Sequence, residues 1–472
     1  NSNVAVGKNA LATNNTASNN TAVGTNALAA NTTGTQNVAV GAGASDALTE
    51  ADHNVVVGGD SLSTDTLGSR SVAVGYACLH NQNITSAAAV NNVAVGFNAG
   101  FAMTTGLQNT LIGGQAGDSL TDADNNVAVG FLALSTNQLG SANTAIGTDS
   151  LSTSNPSSAA LTHNTAVGFH SGKLVTTGVQ NTFVGGLAGD ATDNGDNNTA
   201  MGYSALSANC GDSNVAIGQS ALLLCTANQN TVVGALAADA LTTGGANTFI
   251  GYNAAGDGTI TGGSNTAVGA LSLSALVGGD NNTCMGISSG SAVTSGSNNM
   301  LLGHDAGLSG SPGGVHTTSS GRIALGDENV TNCHIQVDWT VASDQRDKTD
   351  FTALDLGLDF VKALAPVTYK WDKRSKYGDK RADGYDLNDQ TPDGTHKEDW
   401  LDIGFKAQEV EALEIAAGYN KSNKTNLVSS HTDDGKQMGL QYSKFVPILV
   451  KAMQEQNALI EALTARITTL EG

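Results

Sequence analysis

Short apolar segments alternate with polar ones along the first two thirds of the chain, and one of them recurs. The segment Asn3–Gly7, NVAVG, returns as NTAVG, NVVVG, NTLIG, NTFVG and NTAMG. With its glycine as the marker, eighteen copies run from Gly7 to Gly303, mostly at intervals of 17 residues, with 16, 18 or 21 at a few places. Alternation at β-branched positions before a glycine predicts a short strand and a turn, and the fixed period predicts a stacked repeat rather than disorder.

The positions before the marker glycine differ in chemistry. The fourth residue before it is Asn in every copy except one, which has Ser71. The third is Val or Thr, except for Met300, and the residue directly before the glycine is always apolar. Stacked Asn side chains can form a ladder of amide hydrogen bonds along a repeat. We therefore expect the Asn residues to be structural rather than catalytic.

Two further positions of the repeat vary inversely in side-chain size. The second residue before the glycine is usually Ala, and the fourth residue after it is commonly Leu. Four copies reverse these sizes: Leu111 with Gly117, Phe183 with Gly189, Phe249 with Ala255, and Leu301 with Gly307. A constant total volume predicts that the two positions share one packed space. The copies at Gly96 and Gly168 fit poorly, because both positions are small.

This pattern makes both faces of each strand apolar. A single narrow coil can cover only one face, so the other needs a neighbour, and a parallel homo-oligomer is the natural solution. With strands about 4.8 Å apart, eighteen coils would stack into a shaft on the order of 85 Å long.

The repeats resemble the NSVAIG-type coils in the heads of trimeric autotransporter adhesins, and more closely the NTAIGxxAL arrays of phage tail fibres. The resemblance covers residues 1–307. It implies a mainly β fold, an elongated parallel β-roll or β-helix shaft in a homotrimer. The two intervals of 21 residues contain His80–Asn91 and Ser152–Asn164, which we expect to protrude as loops.

Charged residues are distributed unevenly along the chain. Residues 1–340 carry 4 basic and 20 acidic groups, whereas residues 341–472 carry 17 and 22. An acidic shaft repels nucleic acid and anionic membrane, so we expect neither as a partner. The sequence has no apolar run near 18 residues and no signal peptide, although it begins inside a repeat, which leaves room for a preceding segment.

The five cysteines are odd in number, widely spread and in no metal-like spacing. Cys78 and Cys284 occupy repeat positions usually held by Ala. We expect the cysteines to be reduced core residues and predict no disulfide framework.

The segment Val341–Phe351, VASDQRDKTDF, changes the chemistry abruptly, since five of its eleven residues are charged. It places Ser343 five residues before Lys348, a spacing that by itself is typical of a solvated turn. Three segments follow in order: LDFVKALAPVTYKWD (Leu358–Asp372), DIGFKAQEVEAL (Asp402–Leu413) and YSKFVPILVKAMQEQNALIEALTARI (Tyr442–Ile467).

Together these segments resemble the intramolecular chaperone at the C-terminus of phage tail fibres and tailspikes, a self-cleaving Ser-Lys peptidase family that is also used by the myelin regulatory factor. The resemblance covers about residues 343–472. It implies Ser343 as nucleophile, Lys348 as general base and Ala342-Ser343 as the cleaved bond. Asp347 departs from the family, which commonly has an apolar residue there. A carboxylate beside Lys348 would favour the ammonium and slow the reaction.

The chemistry sets a condition on this dyad. Lys has a reference pKa of about 10.4, so it can act as a base near neutral pH only where burial disfavours the ammonium. Ser343 could then attack the carbonyl of Ala342 through a five-membered ring, giving an ester that water hydrolyses. If only correct trimer packing supplies that burial, cleavage reports assembly.

The last segment has apolar residues at alternating spacings of 3 and 4, which predicts the seam of a short trimeric coiled coil with one polar layer. A helix packed on its own domain is the alternative. The seam consists of Val446, Leu449, Met453, Gln456, Ile460, Leu463, Ile467 and Leu470.

The leading interpretation is a trimeric phage tail fibre, part of the virion and assembled in the host cytoplasm. It would bind a host-surface glycan or protein, join other tail proteins at its N-terminus, and cut off its own chaperone once. We expect residues 1–307 to form the repeat shaft, 308–342 a β connector or tip, 343–441 the small α+β chaperone domain, and 442–472 the coiled-coil helix.

Two other functions stay open. A bacterial trimeric surface adhesin is disfavoured because a cleavable helper, and no membrane anchor, ends the chain. A tailspike glycan depolymerase would use carboxylates, but Asp60, Asp118 and Asp190 are scattered and expected to be solvated in turns. The cluster Asp193–Asn198, DNGDNN, could bind calcium, although a turn is the simpler interpretation. We expect no cofactor and no metal.

Overall fold

A computed structural model describes residues 2–336, 339–380, 382, 384–420, 422, 425 and 428–472. The chain divides into two compact units, Asn1–Asn299 and Met300–Gly472. None of the described helices is both long enough and apolar enough to cross a membrane.

The first unit is a parallel β-solenoid, which confirms the predicted fold class. Each coil contributes a three-residue strand that pairs in parallel with the strand of the next coil, so that equal repeat positions stack, as Ala128 does on Ala145. The strands are Val4–Val6, Thr21–Val23, Val38–Val40, Val55–Val57, Val72–Val74, Val93–Val95, Thr110–Ile112, Val127–Val129, Thr144–Ile146, Thr165–Val167, Thr182–Val184, Thr199–Met201, Val215–Ile217, Thr231–Val233, Thr248–Ile250, Thr266–Val268 and Thr283–Met285.

The marker glycine and the Asn residue fix how the coils stack. At Gly130, φ is +141°, and a Cβ would lie 2.5 Å from the carbonyl oxygen of Gly147 in the next coil, so only glycine fits. The Asn ladder is present, but it works mainly through the backbone. The Asn126 N–H donates to Asn109 Oδ1 at 2.9 Å, and Asn109 Nδ2 donates to the carbonyl of Ala123 at 2.8 Å.

The copy with Ser71 repairs the ladder with a residue from outside the motif. The buried Gln82 Nε2 donates to Ser71 Oγ at 3.2 Å and to Asp65 Oδ2 at 2.6 Å. Gln82 Oε1 in turn accepts from Asn92 Nδ2 at 3.0 Å. Gln82 therefore connects Ser71 to Asn92, the ladder residue of the next coil, through side-chain hydrogen bonds.

The predicted volume exchange is confirmed and extends over neighbouring coils. A Cβ on Gly189 would lie 2.6 Å from Phe183 Cδ1, within the same coil. A Cβ on Gly172, in the preceding coil, would lie 3.0 Å from Phe183 Cδ2. Gly100 stands in the same relation to Leu111, whose Cδ1 would be 2.8 Å away. The poorly fitting copies at Gly96 and Gly168 are therefore small because each makes room for the next coil.

Within one chain the strands are buried on one face only. From the second coil onward the central strand residue of the first unit is fully buried, as at Val56, whereas Val55 and Val57 on either side are each 39% exposed. Ile112 and Ile250 are each 40% exposed. The second apolar face predicted from the sequence is therefore open to solvent along this unit.

The two long coils do not simply bulge outward. Each inserted region carries exposed residues, yet a two-residue strand ties it to the preceding coil in parallel pairing. The paired segments are Gly68–Ser69 with Ala88–Ala89, and Gly140–Ser141 with Ala160–Leu161.

The second unit begins with the strand of the last repeat and continues as a small α+β region. Its strands pair as Met300–Leu302 with Ile323–Leu325 in parallel, and Val367–Tyr369 with Asp402–Gly404 and Ser429–His431 with Met438–Leu440 in antiparallel fashion. The α-helices are α1 (Leu358–Ala363), α2 (Ala407–Ala416) and α3 (Phe445–Glu471). Short 3₁₀ turns occupy Gln345–Asp347, Arg374–Lys376, Leu387–Asp389 and Tyr442–Lys444.

One apolar cluster holds the three helices together. The cluster consists of Leu356, Phe360, Val410, Val428, Phe445 and Ile448.

Helix α1 ends shortly before Pro366, because a proline disfavours helical geometry in the residue that precedes it.

Candidate functional site

The two residues of the predicted dyad lie on either side of a short 3₁₀ turn, Gln345–Asp347. Asp344 caps this turn by accepting from the backbone N–H of Arg346 at 2.9 Å. The Arg346 guanidinium also bonds the Asp344 carboxylate, and these hydrogen bonds hold the pKa of Asp344 below its usual value. The turn reverses the chain, so that Lys348 returns towards Ser343.

The two dyad side chains are in contact. Lys348 Nζ donates to Ser343 Oγ at 2.6 Å, and Nζ is 3.4 Å from the carbonyl oxygen of Ser343. Ala342, Ser343 and Lys348 are all exposed in the single chain. The geometry therefore suits proton transfer between the two side chains, but residues 339–353 contain no buried position that would shield the ammonium from water.

Helix α3 has two faces with different environments. Phe445, Ile448 and Ala452 are buried, and Glu455 Oε2 accepts the backbone N–H of Leu358 at the start of α1 at 2.7 Å. The predicted seam lies elsewhere on the helix and is open, since its apolar residues from Val446 to Leu470 are all exposed. Packing on the domain, the alternative from the sequence, therefore applies to the first turns, while the seam has no cover within the chain.

The two units thus define a β-solenoid repeat protein with a small C-terminal α+β region. Residues 343–419 match the family model described as the chaperone of endosialidase. No curated protein and no solved structure matches the chain. A β-solenoid followed by this chaperone domain is the arrangement of a tailspike-like or fibre-like protein.

The carboxylates considered for a depolymerase do not form a pair. Asp118 and Asp190 are four coils apart, about 19 Å at 4.8 Å per coil, whereas glycosidase carboxylates are about 5–10 Å apart. Both lie in turns, as expected, but they are only partly exposed. Each has one buried carboxylate oxygen without a hydrogen-bond partner, and desolvation raises the pKa of both side chains. Asp60 is exposed.

The acidic cluster Asp193–Asn198 uses its side chains to join coils. Asp193 Oδ1 accepts from Thr176 Oγ1, and Asp196 Oδ1 accepts the backbone N–H of Val179 at 2.8 Å. Asn198 belongs to the Asn ladder and donates its N–H to Asn181 at 2.9 Å. These bonds fit the turn predicted as the simpler interpretation.

Sequence reasoning missed a row of exposed aromatic residues, because the residue after the marker glycine varies too much to stand out. Tyr76 and Phe97, in consecutive coils, stack with their ring centroids 5.9 Å apart. The aromatic members of this row are Tyr76, Phe97, Phe131, Phe169, Tyr203 and Tyr252.

It also missed a cluster of His304, Asp305 and Asp327 in the second unit, whose ligand-type atoms lie within 4.8 Å of one another. Asn329 donates to both carboxylate oxygens of Asp327, which ties this side chain into its own turn. Among the cysteines, four are buried, but Cys333 is exposed, so the expectation of a core position is wrong there.

Proposed function

We propose that the chain is a trimeric phage tail fibre that attaches the virion to a host surface, and that its C-terminal segment is a chaperone which drives trimer assembly and then removes itself. The family match that begins at Ser343, downstream of the parallel solenoid, carries this proposal. A long parallel ladder must set its register across distant strands, which makes folding slow and slippage costly. A helper that acts only during assembly meets that need.

Cleavage at Ala342-Ser343 follows from the contact between Ser343 and Lys348. The Ser343 hydroxyl gives its proton to a neutral Lys348 amine, and Oγ bonds to the carbonyl carbon of Ala342. The bond from that carbon to the Ser343 nitrogen then breaks, and the nitrogen takes a proton. Water hydrolyses the resulting ester, which leaves a carboxylate on Ala342 and a free amine on Ser343. Because both side chains are exposed in one chain, the neutral amine requires burial supplied by other copies.

Two apolar surfaces that are open in the single chain support the proposal of a trimer. One is the outer strand face of the solenoid, continued by the six exposed aromatic residues that directly follow a marker glycine. The other is the seam of α3, with its polar layer at Gln456. An apolar stripe of this length is unusual on a monomer and is typical of an interface. Analytical ultracentrifugation at micromolar concentration should give a trimer, and a monomer would contradict the proposal.

The cleavage test uses the intact protein. Mass spectrometry should find a species ending at Ala342 beside a fragment of residues 343–472. Ser343→Ala and Lys348→Ala should each stay at full length yet still form trimers, because cleavage follows assembly. Arg346→Ala is the matched control, since Arg346 lies on the same turn but contacts Asp344 instead of the dyad, and it should be cut. Normal fragments from either dyad variant would remove the dyad.

Asp347 provides a test with the opposite sign. Replacing it by an apolar residue, as in Asp347→Leu, removes a carboxylate adjacent in sequence to Lys348 and should favour the neutral amine. Cleavage of freshly assembled trimers, followed over time on denaturing gels, should therefore become faster than in the wild type. An unchanged or slower rate would mean that this carboxylate does not restrain the base.

A further inference from the structure

Residues on the two sides of the proposed cleavage bond meet across a surface that does not include the bond. The Arg322 guanidinium of the connector donates to both oxygens of Asp433, from Nη2 at 2.7 Å and from Nε at 3.2 Å. Buried His316 places Nδ1 3.7 Å from the same carboxylate. A bidentate pair of this kind fixes orientation as well as distance.

A second pair has the reverse polarity. Glu328 of the connector, whose side chain is 5% exposed, pairs with the Lys380 ammonium. Lys373 Nζ donates to the backbone carbonyl of Glu328 at 2.9 Å. The connector therefore offers a cation at one point and an anion at another, and residues beyond the bond match both.

Two glycines of the connector also lie close to side chains beyond the bond. A Cβ on Gly314 would lie 2.8 Å from Thr432 Cβ, and a Cβ on Gly310 would lie 2.6 Å from Ser375 Cβ. Only residues without a side chain allow this approach. The connector is therefore joined to residues beyond the bond by close packing as well as by ion pairs.

The segment that carries the bond is different. Residues 339–353 are exposed throughout, so cutting Ala342-Ser343 severs a solvated tether and removes none of these contacts. We propose that this surface, the latch, keeps residues 343–472 bound to residues 308–342 after the bond is cut, so that cleavage and release are separate steps. The proposal rests on the proposed cleavage, and the partner is the C-terminal segment of this same chain.

The composition of the latch makes release depend on salt. Arg322 and Asp433 are partly exposed, so ions screen their attraction, while the buried Glu328–Lys380 pair is screened less. Raising salt from about 0.1 M to about 1 M shortens the Debye length from about 10 Å to about 3 Å. The cleaved segment should elute with the shaft in gel filtration at low salt and separately at high salt.

Variants test the named pairs. Lys380→Ala leaves Glu328 buried without its cation and should speed dissociation of the cleaved segment at low salt by at least about tenfold. Lys397→Ala, an exposed residue of the same domain, is the matched control and should behave as the wild type. Arg322→Asp and Asp433→Arg should each weaken retention, and combining the two reversals should restore it.

A protein that is cut by an added protease distinguishes failure of the latch from failure of the self-cleavage. In Ser343→Ala, a site for a specific protease inserted between Thr340 and Val341 allows the tether to be cut from outside. Retention of the segment at low salt after this cut supports the latch even if the wild type never cleaves itself. Immediate separation at low salt, or single charge reversals that retain the segment as the wild type does, would overturn the latch and leave the cleavage proposal standing.

Discussion

At the scale of single residues, the solenoid depends on the ladder Asn, whose side chain forms hydrogen bonds with the backbone of the next coil. Ladder Asn side chains accept a backbone N–H from the next coil, and many of them also donate to a carbonyl of that coil, as Asn109 does with Asn126 and Ala123. Both partners are buried, so no water can replace a lost bond. The ladder therefore stabilises by satisfying backbone groups that the short strands leave unpaired.

Asn109→Ala should lower the stability of the shaft. It leaves the Asn126 N–H and the Ala123 carbonyl unsatisfied, at a cost of about 1–3 kcal/mol for each group. The measurement is denaturant unfolding, or the unfolding rate where unfolding is irreversible. Gln138→Ala, an exposed residue nearby, is the control and should change stability by less than about 0.5 kcal/mol. Equal losses of stability in the two variants would mean that the Asn ladder does not stabilise the shaft.

At the scale of one coil, packing is shared with the neighbours on both sides. Phe183 is fully buried against Gly189 of its own coil and Gly172 of the coil before. The sequence indicated the first relation, because both positions lie in one repeat. It did not indicate the second, since a contact between neighbouring coils becomes visible only when the stacking direction and spacing are known.

This packing can be converted to the commoner pattern. Phe183→Ala should cost about 3–5 kcal/mol through the cavity it leaves. Adding Gly189→Leu should recover much of that loss, because Leu206 occupies the equivalent position at φ +56°, close to the +59° of Gly189. Gly189→Leu alone should clash with Phe183 and destabilise. Thermal unfolding of the three variants provides the test, and a double variant no better than Phe183→Ala would refute the exchange.

The long helix offers an equally direct test. Ile460→Asp with Leu463→Asp would place three like charges in each of two seam layers, costing several kcal/mol by burial of unpaired charge. Little soluble trimer should form on expression. Ala465→Asp adds one carboxylate per chain off the seam of the same helix and should assemble normally, as ultracentrifugation would report. Normal assembly of the seam variant would mean that α3 does not align the chains.

At the scale of the whole molecule, the acidic shaft should resist acid unusually well. Desolvation raises the pKa of five carboxyl groups in the first unit: Asp46, Asp65, Asp118, Asp190 and Asp239. A raised pKa means that the folded state binds protons more readily than the unfolded state. Stability should therefore rise, not fall, as pH drops from neutrality towards the ordinary carboxyl pKa of 3.8.

Asp118→Ser tests this dependence at one site. Ser135 occupies the same position in the next coil, so the replacement fits the repeat. The variant should be more stable than the wild type at neutral pH and should gain less on acidification. Glu50→Gln removes one exposed charge and serves as the control for net charge alone. Unfolding rates across the pH range distinguish the two, and identical profiles would exclude desolvation as the cause.

Features that repeat along the sequence could be predicted from it, whereas individual contacts could not. The repeat, its parallel stacking and the order of the C-terminal segments could be predicted because they recur or match a known pattern. The replacement of an Asn by Gln82, and the latch between Arg322 and Asp433, could not, since they join residues with no regular spacing. The proximity of Ser343 and Lys348 was expected from resemblance, whereas their exposure in the single chain could not be read from the sequence.

The in-register pairing of the coils has a last consequence, for heredity. Because coils with the common Ala and Leu pattern present equivalent three-residue strands and similar backbone hydrogen bonds to their neighbours, an in-frame duplication of the codons of one such repeat adds one coil and keeps the pairing register. Each event changes the reach of the shaft by about 4.8 Å. Recombination can thus adjust the length of this shaft in steps of one coil.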